Sequence, residues 1–84
     1  MATSAAAISA LIRRWGWKPI PTHNRKREGV RVTRGHLPGI VTVEADFNWA
    51  RLADEIATDL ADFLSERGYT VHRAQNSPRM QVSR

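Results

Sequence analysis

The chain has 84 residues, no cysteine, 42% hydrophobic and 25% charged residues, and a formal net charge of +5. That length allows a single domain with a small core, and the composition lies away from the disordered class. Disulfides, thiolate chemistry and cysteine-ligated zinc are excluded, and no run approaches the roughly 20 apolar residues of a membrane span.

A first helix is predicted from Ser4 to Trp15, because Ile8, Leu11, Ile12 and Trp15 form one apolar stripe. Thr3 or Ser4 suits its N-cap, and Gly16 its left-handed stop. The acid-free, Ala- and Ser-rich start also has the composition of a transit peptide, but Gly16 and Pro19 supply a helix stop and favour a structural element. Trp17 to Pro21 carries two prolines and reads as an edge strand or coil, and His23 to Gly29 as a polar basic loop.

Val30 to Arg34 alternates apolar and polar residues, as does Ile40 to Phe47, and the Gly35–Gly39 turn joins them into an antiparallel hairpin. A second helix is predicted from Trp49 to Arg67. Its apolar stripe runs through Trp49, Leu52, Ala53, Ile56, Leu60, Phe63 and Leu64. Asp46 or Asn48 is the expected N-cap and Gly68 the stop. Tyr69 to Arg73, with Val71 inward, and a short strand through Met80 and Val82 complete the chain.

The order α-β-β-α-β-β, with one apolar face per element, predicts an α+β two-layer sandwich in one domain over residues 1–84. Two helices pack on one face of a small mixed sheet. The second helix forms a crossover that lets its flanking strands run parallel. The open sheet face is predicted to show Arg31, Thr33, Thr42, Glu44, Thr70, His72, Gln81 and Ser83.

Charge is distributed unevenly. Residues 1–42 carry eight Lys/Arg against Glu28, a balance of +7; residues 43–84 carry five Arg against seven acids, a balance of −2. Arg13, Arg14, Lys18, Arg25, Lys26, Arg27, Arg31 and Arg34 are therefore candidate phosphate contacts. A solvated loop, and cations offsetting a helix dipole at Arg13 and Arg14, are the bland readings of the same residues. Trp17 fits neither stripe and is the candidate for stacking on a base. Trp15 and Trp49 continue the two stripes and read as core.

Asp54, Glu55, Asp59, Asp62 and Glu66 give the second helix an acidic face, either merely solvated or a docking surface for a basic partner. His23, His36 and His72 are scattered without metal-ligand spacing, and Glu44 and Asp46 read as an exposed strand residue and a cap. Catalytic residues, cofactors and metals are not expected. The opening helix, Gly16-Trp17, strands and Gly35-His36 resemble the order in HicA-type RNase toxins over the first two-thirds of the chain. They depart from that family in the late histidine and the missing Gly-Ser-His.

The leading expectation is a small non-enzymatic DNA- or RNA-binding accessory or regulatory protein in a reducing cytoplasm, without a membrane role. The alternative is a protein interaction module, an inhibitor or assembly component, whose basic and acidic ends meet an acidic protein surface or a second copy. A ribonuclease built on His36 or His72 stands third.

Overall fold

The structure, a computed structural model, describes residues 4–16, 29–35, 37–74 and 77–84, together with the backbone of 19–20. Trp17, Lys18, His23, Arg25, Lys26, Arg27 and His36, for which roles are predicted above, lie outside the described residues.

Helix α1 is Ala5–Trp15. Its cap is Ser4, whose Oγ accepts from the Ala7 amide at 3.1 Å. It ends where Gly16 enters the left-handed region at φ 114°, a conformation that costs glycine little. Pro19–Ile20 forms the short strand β1, Gly29–Arg34 β2 and Val41–Asp46 β3. Helix α2 is Ala50–Glu66, followed by β4 at Thr70–Arg73 and β5 at Arg79–Ser83. The α+β order and the extra edge strand match the sequence reading.

The five strands lie in the order β1-β2-β3-β5-β4. β1 runs parallel to β2, and the remaining pairs are antiparallel, so the sheet is mixed. β3 and β4 both oppose β5 and therefore run parallel to each other with β5 between them. The α2 crossover thus forms a split βαβ unit, in which the last strand fills the gap that the crossover leaves.

Both helices pack on one face of the sheet, α1 over β1, β2 and β3, and α2 over β3, β4 and β5. Between the layers lie Ile8 and Ile12 of α1, Leu60 and Leu64 of α2, and Val30, Val43, Met80 and Val82 of the sheet, all essentially inaccessible to water. Trp15 of α1 stacks on Phe63 of α2 with centroids 5.6 Å apart and closes the seam between the helices. Trp15 is thus packed against the core, as its spacing predicts.

Helix α2 stops as predicted. Gly68 turns left-handed at φ 92°. The Gly68 amide donates to Ser65 O and the Tyr69 amide to Leu64 O, each at 3.1 Å. Those two bonds satisfy carbonyls that the last turn leaves open. The start of α2 differs from the prediction. Asp46 remains in β3, and the N-cap position is taken by Trp49, which makes no side-chain capping bond. With φ −95° and ψ 118°, Trp49 is extended rather than helical. The 100° step that would carry its indole onto the apolar stripe has not begun, so Trp49 is 76% exposed rather than core.

Candidate nucleic-acid interface

Register fixes what the uncovered sheet face displays. Arg31 pairs with Glu44, and Glu44 with Arg79; the next row is Thr33, Thr42, Gln81 and His72. The predicted polar face is therefore present, but its charges are largely neutralised within the face. Arg31 donates to Asp46, and Arg79 lies 3.6 Å from Glu44. Thr42 Oγ1 donates to Gln81 Oε1 at 3.0 Å.

Arg31 differs most from its predicted role. Only 10% of its side chain is exposed, and its guanidinium is engaged by Asp46. Its alternation places it on the uncovered face, yet a buried charge needs a partner, and the carboxylate two residues beyond the directly paired Glu44 supplies one. Arg31 is a structural cation and not an accessible phosphate contact.

The other arginines divide cleanly. Arg73 donates to the Asp54 carboxylate, to Asp54 O, to Thr58 Oγ1 at 2.7 Å and to Ser77 O at 2.6 Å. Arg51 lies 3.8 Å from Glu55 one turn along α2. Arg67 sits over the ring of Phe63 and Arg84 over that of Tyr69. Arg13, Arg14 and Arg34 are exposed, and none has a carboxylate partner among the described residues.

These three cations flank one helix. Arg13 and Arg14 occupy the last turn of α1. Arg34 lies at its other end, where an open cleft of about 550 Å³ separates Ser4–Ala6 from the β2–β3 turn. Eight to nine helical residues separate the two ends, roughly 13 Å along the axis. Arg34 is the one charged side chain among the described residues that line that cleft.

The acidic face of α2 is smaller than predicted. Asp54 turns toward the sheet and is held by Arg73, and Glu55 is shared with Arg51. Asp59, Asp62 and Glu66 remain as one exposed stripe without counter-ions among the described residues. His72 is exposed on edge strand β4. No group of three or more metal-ligating side chains occurs among the described residues, and no described helix is long and apolar enough to cross a membrane.

No family model, curated protein or solved structure matches the chain.

Proposed function

We propose that this is a small non-enzymatic nucleic-acid-binding protein of accessory or regulatory type, acting in a reducing cytoplasm. The observation that carries the reading is the partition of its arginines. Every described Arg in the acidic half of the sequence lies against a carboxylate or an aromatic ring, and so does Arg31. Arg13, Arg14 and Arg34, in the basic half, have neither kind of partner among the described residues. Their charge is available to an external anion, and the sequence adds Lys18, Arg25, Lys26 and Arg27 to the same half. Cations of this kind displace condensed counter-ions from a phosphate backbone and carry little sequence information.

A second reading is supported by the Asp59, Asp62 and Glu66 stripe. An acidic helix face and a basic half in one chain suit contact with a charged protein or between copies, in which case light scattering detects assembly without nucleic acid.

The deciding experiment is fluorescence anisotropy with end-labelled duplex DNA, single-stranded DNA and RNA of equal length, each at low and moderate salt. Saturable binding that weakens as salt rises supports the leading reading. Absence of binding to all three at low salt, where phosphate contacts are strongest, overturns it.

A further inference from the structure

The described surface exposes two large apolar side chains, Leu37 at 63% and Trp49 at 76%. They lie at opposite ends of β3. Leu37 belongs to the turn that precedes the strand, whereas Trp49 follows it by three residues. Among the described residues, the fold gives the Trp49 side chain no task. An indole has a donor but no acceptor, so it cannot cap the free amides of α2, and its ring lies outside the core. Its carbonyl accepts from the Ala53 amide at 3.0 Å, a bond that any residue at this position supplies.

Electrostatics around Trp49 are permissive for an anion. The carboxylates nearest to it in sequence are Asp46, Glu44, Asp54 and Glu55, and each faces an arginine: Arg31, Arg79, Arg73 and Arg51 respectively. Among the described residues, acid without a counter-ion begins only at Asp59, ten residues on, roughly 15 Å along the helix. The cap position therefore presents a large π-face in locally balanced surroundings on a molecule of net charge +5.

Resting on the nucleic-acid reading above, we propose that Trp49 is the platform on which an unpaired base stacks, so that the protein prefers single-stranded nucleic acid to duplex. A duplex hides its base faces inside the helix, and an indole at a surface corner reaches one only when the base is unpaired. Such a stack tolerates any base, since every base has a π-face. It thus fits phosphate contacts that are themselves indifferent to sequence.

The test compares wild type, Trp49→Ala and Trp49→Phe against a labelled single-stranded oligonucleotide and a duplex of the same length at low salt. Circular dichroism checks that each variant stays folded. The expected result is tighter binding of the single strand by wild type, a loss of roughly 5- to 100-fold in Trp49→Ala, partial recovery in Trp49→Phe, and unchanged duplex binding. Single-strand affinity that survives Trp49→Ala overturns the platform and leaves the nucleic-acid reading standing. Failure of wild type to bind either ligand overturns both, and the indole becomes a candidate contact for a protein partner.

Discussion

Arg73 of β4 and Asp54 of α2 form an ion pair between the sheet and the helix, and Arg73 also donates to Thr58 and to the Ser77 carbonyl beyond the strand. One guanidinium thereby joins an edge strand, the turn that follows it and the first half of α2. The side chain is 17% exposed. Edge strands present unpaired backbone groups, and an inward-pointing charge is one device that keeps them from pairing with other chains. Replacing Arg73 by Met removes bonds to a charged donor and leaves Asp54 free to rehydrate, so a loss of about 2 kcal/mol is expected. A double-mutant cycle with Asp54→Asn, read by urea denaturation, should return a coupling of about 1 kcal/mol. A coupling near zero would show that Arg73 acts through packing and its backbone acceptor instead.

Arg31 and Arg34 lie on one strand three residues apart, and their variants should behave in opposite ways. Arg31→Ala removes the buried partner of Asp46 and should lower stability by about 2 kcal/mol, a fall of roughly 10 °C in Tm for a domain of this size. Arg34→Ala truncates an exposed cation without a described carboxylate partner and should change stability by less than about 0.5 kcal/mol. In binding, Arg34→Ala should instead reduce the slope of log K against log salt by about 0.7 on a single strand, as one lost phosphate contact does. Thermal melts and anisotropy titrations on the same two preparations decide both halves.

The turn between β2 and β3 has little room at Gly35. A Cβ built there meets the Ile40 carbonyl oxygen at 2.6 Å, a backbone atom that no rotamer change can move. The Gly35 amide donates to that same oxygen at 2.9 Å, so the contact is the closing bond of the hairpin. Gly35→Ala must push the turn open and should cost about 1–3 kcal/mol. Loss of amide protection at Gly35 in hydrogen exchange would locate the damage. An unchanged melting temperature would show that the turn relaxes freely.

Much of this fold was legible because periodicity and punctuation agreed. Ile8 and Ile12 at one helical step, Val41, Val43 and Ala45 at the strand period, and the stops at Gly16 and Gly68 all point to one architecture. Two kinds of residue escaped. Arg73 shares the inward face of Val71 by simple alternation, but composition reads an arginine as solvent-exposed. Its partner Asp54 lies on another element, so only the tertiary fold joins them. Trp49 continues the spacing of Leu52, Ala53 and Ile56, and that spacing has meaning only where the backbone is already helical. One residue before the first turn, the same pattern points the ring outward. The candidate binding residues were legible as charge alone, because nothing in the sequence tells that Arg31 is paired with Asp46 while Arg34 has no carboxylate partner among the described residues.

Trp49 offers a last prediction that links stability to binding. At this N-cap Asp, Ser or Asn would accept from a free amide of the first turn, and Asp would also oppose the positive end of the helix dipole. The first turn of α2 holds no acid, so that gain is available. Trp49→Asp should therefore stabilise the domain by about 1 kcal/mol, a rise of roughly 4–8 °C in Tm. The same substitution removes the π-face and adds a negative charge, so single-strand binding should fall at least as far as in Trp49→Ala. A rise in stability on replacing Trp49 fits a binding role, since the folded chain alone then gains from the loss of the indole. A melting temperature that falls in Trp49→Asp would mean that the indole supports the fold through contact with its surroundings, and the case for Trp49 as a binding residue would lose its thermodynamic half.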